Sequence, residues 1–148
     1  MKTLLLLITL FAFLQSAFLP VNLVLVLLIA RSLIIDDREN LYLAFFGGLI
    51  LSFLAQINLG YYPILFLVVV KLSGMLKLLP VSFNLLMVFL SGALIVALTT
   101  TVNRFIIGQY VEVWPHLIEV VLVIPTYFFV KLWEERFVVK SHMKLKMR

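Results

Sequence analysis

The chain has 148 residues, of which 64% are hydrophobic and 13% charged, with a net charge of +5 and a mean hydropathy of +1.19. An average soluble domain carries about 25% charged residues, and this much apolar surface cannot be hidden inside so small a globule. A water-soluble domain and a disordered chain are both excluded, which leaves an integral membrane protein.

A bilayer-crossing helix takes about 20 residues. Six would use about 120 residues and leave about 28 for turns and tails, so the chain has no room for a soluble domain. Thr3 to Ala30 is uncharged, but as one helix it would be about 42 Å long, too long for one upright crossing. A break is expected from Gln15-Ser16 through Leu19-Pro20, because proline disfavours helix at the preceding residue and suits the start of a new one. This gives spans near 2–18 and 20–35. Asp36-Asp37-Arg38-Glu39-Asn40 reads as a loop whose acids suit the next helix start. Span three is expected over 41–57, followed by a tight turn at Asn58-Leu59-Gly60. Span four starts near Tyr61 and runs to about Leu72, or on towards Leu79 with an interruption at Ser73-Gly74. Pro80 opens span five over 81–103, Gly108 to Glu112 form a loop, and span six covers 113–133. Residues 134–148 read as a basic, amphipathic cytoplasmic tail.

Lys2 and the apolar run before Ser16-Ala17 also resemble a secretory signal peptide. Gln15 stands where a cleavage site needs a small residue, and removal would leave five spans. Eleven of the twelve Lys and Arg residues fall on one side of the six-span arrangement, with only Arg104 on the other. Cations favour the cytoplasmic side. The expected fold is an all-α six-transmembrane-helix bundle with both termini cytoplasmic.

Nothing in the chain pairs a nucleophile with a base. There is no cysteine, and His116 and His142 are the only histidines, so neither a metal nor another cofactor is expected. Ionisable residues inside a membrane are functional candidates by default. Lys71 either snorkels to the headgroups or contacts a partner or ligand. Arg104, Glu112, His116 and Glu119 gather near the outer face. They read as an interfacial Arg104–Glu119 ion pair or as an outward polar pocket. Ala44, Gly48 and Ser52 repeat every four residues on span three, and Ala93, Ala97 and Thr101 do so on span five. Small residues at this spacing let helix backbones approach, either within the bundle or against a partner. Pro125 is expected to kink span six. Lys131, Arg136, Lys140, Lys144, Lys146 and Arg148 read as contacts to anionic lipid. No nucleic-acid motif accompanies the basic charge, so no such partner is expected.

These residues resemble the MreD family of small multispan proteins of the bacterial rod-shape and wall-elongation system. Span three of that family typically carries a Gly, an Asp four residues later, and a polar turn closed by Gly eight residues after the Asp. Gly48 and Gly60 match the two glycines, and Ser52 stands where the acid is usual. Pro20 before span two, the charged loop before span three and the basic tail also look similar. The motif covers about residues 41–75, and the topology most of the chain. The resemblance implies a non-enzymatic scaffold in the bacterial cytoplasmic membrane. Such a scaffold works with a bitopic MreC-like protein and, through the complex, with actin-like MreB and the wall synthases. It also implies a fold similar to the S-components of energy-coupling-factor vitamin transporters. An S-component is therefore the alternative function. The very short outer turns near Leu19 and Asn58 favour the scaffold, and a small-molecule ligand is not expected. An enzyme of lipid or wall-precursor chemistry ranks last, because no acids and histidines cluster at one depth.

Overall fold

The computed structural model describes residues 2–18, 20–35, 37–77, 85–108 and 113–146. It contains six helices, and no strand occurs among the described residues. The helices are α1 (Lys2–Ala17), α2 (Leu23–Ile34), α3 (Arg38–Leu54), α4 (Tyr61–Lys77), α5 (Leu85–Ile107) and α6 (Val113–Lys146). Pro80 and most of the expected loop at 108–112 lie outside the described residues.

Helix α2 is the axis of the bundle and touches each of the other five. Every residue from Val24 to Leu33 is buried, the pattern of a helix enclosed on all sides. Its start differs from the proline-led expectation. Asn22 caps the helix, its Oδ1 accepting from the Leu25 N–H at 3.0 Å. A side-chain acceptor for an orphan N–H fixes the first turn, so the helix begins three residues beyond Pro20. The Val24 N–H donates to Gln15 Oε1 at the end of α1, at 3.1 Å.

Helix α3 ends in a Schellman-type turn. The Ile57 N–H reaches Ser52 O at 3.1 Å and the Gln56 N–H reaches Phe53 O at 3.4 Å. The left-handed residue of such a turn is usually glycine, but here it is Gln56, with φ of 53°. The following glycine, Gly60, is exposed and has open space where a Cβ would sit, apart from Ile64 Cδ1 at 4.0 Å. It therefore serves neither as the turn's left-handed residue nor as a packing contact.

Two adjacent glycines in α3 meet different neighbours. A Cβ on Gly47 would lie 3.0 Å from Ile8 of α1 and 3.3 Å from Val24 of α2. A Cβ on Gly48 would lie 2.5 Å from the backbone nitrogen of Pro63 in α4. Pro63 has no N–H to give up, so the α3 and α4 backbones cross in direct contact. Ala44 and Ser52 are buried on the same helix, as the four-residue spacing predicts.

The stripe on α5 is not packed within the bundle, the first of its two expected uses. Ala97 and Thr101 are exposed and Ala93 is half-buried. The buried face is Val88, Gly92, Ile95, Val96 and Thr99, with Gly92 set against Val123 of α6. The packed stripe is thus one residue earlier, about 100° round the helix.

Helix α4 passes Ser73-Gly74 without a break. The Ser73 hydroxyl bonds back to Val69 O at 2.8 Å, and Gly74 is buried. Helix α6 continues through Pro125 to Lys146, about 51 Å at 1.5 Å per residue. The boundary expected at residue 133 is therefore not a break in the helix. Two stretches, Leu85–Ile106 and Trp114–Arg136, are long and apolar enough to cross a bilayer. In their most apolar windows only 28% and 17% of residues are buried.

Candidate functional site

The buried charged side chains among the described residues fall in two clusters, one at each end of α2. At its last turn Arg31 is buried, with 3% of its side chain exposed. Its Nε donates to Glu134 Oε1 of α6 at 3.0 Å and its Nη2 to Glu39 Oε2 of α3 at 3.3 Å. Its Nη1 donates to Asn40 Oδ1. The Asn40 amide in turn donates to Ile35 O at 2.6 Å. Lys77 of α4 closes the same helix end by donating to Ile34 O at 2.6 Å. Four helices are thereby tied at one point.

From sequence, Arg31 falls at the end of span two beside the charged loop and Glu134 in the basic tail, and neither is marked as buried. Burial of both is a correction with a plain cause. A guanidinium has five donors in a rigid fork, and three of them find partners on two other helices. Glu134 Oε2 has no hydrogen-bond partner among the described residues.

At the first turn of α2 the buried group is Glu119, 3% exposed. Its Oε1 accepts from the Asn22 N–H at 2.7 Å, and its Oε2 lies 2.9 Å from His116 Nδ1. The carboxylate stands at the positive end of the α2 dipole, where an anion is favoured. The expected Arg104–Glu119 pair does not form. Arg104 is exposed at the end of α5, and both Glu119 oxygens are taken by Asn22 and His116. Helix spacing accounts for the substitution, since His116 is three residues before Glu119 on the same face.

Glu119 borders an open cavity of about 390 Å³ that also meets Gln15, Asn22, Tyr62, Asn103 and His116. Beside it the Tyr61 hydroxyl donates to Asn103 Oδ1 and ties α4 to α5. Sequence reasoning singled out His116 and Glu119 but missed Gln15, Asn22, Tyr62 and Asn103. They come from four different helix ends, and the only sequence signal is that each is a polar residue at the edge of an apolar run.

Elsewhere, Lys71 is exposed and borders a groove of about 330 Å³ with Asp37, Arg38 and Gly74. Ala93, Ala97 and Thr101 line a second groove of about 330 Å³, closed on the α6 side by His116, Leu117 and Val120. Lys131 and Arg136 are exposed on α6. Ser52, where the resemblance places an acid, is fully buried, and its hydroxyl has no partner among the described residues. Glu112, Arg148 and the side chains of Lys140, Lys144 and Lys146 lie outside the described residues. Among the described residues no three His, Asp or Glu side chains come together as metal ligands. No family model matches the chain, nor does any curated protein or solved structure.

Proposed function

We propose that the chain is a six-span protein of the bacterial cytoplasmic membrane that acts as a non-enzymatic scaffold of the wall-elongation machinery, in the manner of the MreD family. Its two long apolar helices support the membrane reading. They keep most of their apolar windows on the outside of the bundle, whereas a core helix of a soluble protein would bury them. Arg31, Glu119 and Glu134 are turned inward, as charges in lipid must be. Arg38, Lys71, Lys77, Lys131 and Arg136 lie at the Arg31 end, and Arg104 lies at the Glu119 end. Cations favour the cytoplasmic face, which supports cytoplasmic termini and contact of the basic residues with anionic lipid.

The observation that carries the scaffold reading is the groove along α5. Ala93, Ala97 and Thr101 present small side chains outward on an otherwise large-residue surface. A single helix of a bitopic, MreC-like partner can approach closely there. Gly48, by contrast, is used inside the bundle. Ala97→Phe is therefore the variant that separates docking from folding.

The test is affinity purification in mild detergent followed by mass spectrometry. Recovery of a bitopic protein with wall synthases, reduced in Ala97→Phe but not in Lys140→Ala, is the expected result. Recovery of an energising module with ATPases would instead establish the S-component alternative. One observation favours that alternative, the cavity beside Glu119.

A further inference from the structure

Three carboxamides edge the cavity beside Glu119, and the oxygen of each is already engaged. Gln15 Oε1 accepts from the Val24 N–H, Asn22 Oδ1 from the Leu25 N–H, and Asn103 Oδ1 from the Tyr61 hydroxyl. A backbone N–H can only donate, so the orientations of the Gln15 and Asn22 amides are fixed by their partners. What each amide has left is its NH2 group, and none of the three has a protein acceptor among the described residues. On the same wall Glu119 supplies a carboxylate, each of whose oxygens accepts one bond and keeps capacity for another. The cavity thus pairs surplus donors with one anionic acceptor inside 390 Å³.

A ligand that satisfies both halves carries an ammonium and an oxyanion a few ångströms apart. Its own charges cancel, so it can leave water without bringing net charge into a largely apolar bundle. We propose that this cavity binds a zwitterionic group, its ammonium on Glu119 and its oxyanion on the amides of Gln15, Asn22 and Asn103. The Tyr62 hydroxyl, also at the wall, can donate to the oxyanion. Such a group has two natural sources, a free small molecule or an ethanolamine phospholipid headgroup, and both present the same chemistry. The proposal stands apart from the scaffold reading, since a structural lipid or a free ligand can occupy either kind of protein.

The experiment uses the full chain purified in dodecyl maltoside and stripped of lipid. sn-Glycero-3-phosphoethanolamine, a phosphodiester whose charges cancel at neutral pH, is titrated calorimetrically. In a parallel arm the chain is placed in nanodiscs of phosphatidylcholine with and without phosphatidylethanolamine, and the unfolding temperature is read. Two variants are compared. Glu119→Gln removes the charge. Asn103→Asp keeps an acceptor for Tyr61 and replaces the donor with a negative charge. The expected result is binding or stabilisation by an ethanolamine probe that falls about tenfold or more in each variant, the effect of losing a charge-assisted hydrogen bond. Response to the soluble probe assigns a free ligand, and response only to the phospholipid assigns a headgroup. No response in either arm, or equal response in wild type and both variants, overturns the proposal. Should Glu119→Gln not fold, Asn103→Asp decides alone.

Discussion

The two ends of α2 carry the same kinds of groups and use them in opposite ways. At the Arg31 end the charged and polar groups meet one another across helices. The guanidinium meets Glu134, Glu39 and Asn40, and Lys77 meets the last-turn carbonyl of Ile34. At the Glu119 end the amide oxygens of Gln15, Asn22 and Asn103 are engaged, and their NH2 donors remain over an open cavity beside the carboxylate. A buried polar cluster whose groups meet across helices acts as a fastening. One that leaves like groups over at a cavity wall presents a binding surface. The sign and number of what is left over, rather than polarity itself, separates the two roles.

That contrast can be broken by substitution. The largest effect is expected from Glu134→Ala, which leaves the Arg31 charge buried without its α6 partner. Arg31 then keeps only the partly exposed Glu39 as counter-charge, and a loss of about 3 kcal/mol is expected for breaking the buried pair, read by denaturant titration in detergent. Glu119→Ala should be milder. It leaves the Asn22 N–H and His116 without their acceptor, a loss of about 1–3 kcal/mol, measured in the same titration. If the Arg31 end is a fastening only, the double variant Arg31→Met with Glu134→Leu should regain most of the stability lost by Glu134→Ala. Apolar groups of similar volume often replace a buried pair without loss, so failure to recover would give the charges a second role. The smallest effect is expected from Arg104→Glu. Although it is also an arginine at a helix end, it is exposed, and a change within about 0.5 kcal/mol is expected. A shift as large as that of Glu119→Ala would restore the discarded Arg104–Glu119 pair.

Much of the helical layout is legible in the sequence because it is local. Apolar runs, Pro20 and the polar residues near 36–40 and 58–60 delimit four helices to within a few residues. The inward face of α3 is also legible, since Ala44, Gly48 and Ser52 share a face whatever packs against it. The face of α5 that packs inside the bundle is not legible, for a related reason. Ala93 and Ala97 are as small as Gly92, and nothing along α5 says that Val123 of α6 lies opposite Gly92. The Arg31 cluster is hidden more deeply. Its partners Glu39 and Asn40 look like loop residues, and Glu134 sits among the cations that follow span six. Two acids at 134 and 135 inside a basic stretch were the only cue. The Glu119 cavity was half legible, since a buried acid near a histidine draws attention while amides at helix ends do not.

The separation of Arg31 from Glu134 sets an order of events on the ribosome. The two lie 103 residues apart. At about 5–20 residues per second, α6 is made roughly 5–20 s after Arg31. Glu39 and Asn40 follow Arg31 by 8 and 9 residues and are therefore available within about two seconds. The nascent chain can thus shield its arginine early with its own next helix. Glu134 is the last of the three Arg31 partners to be made, so the Arg31 site is complete only once α6 has been synthesised.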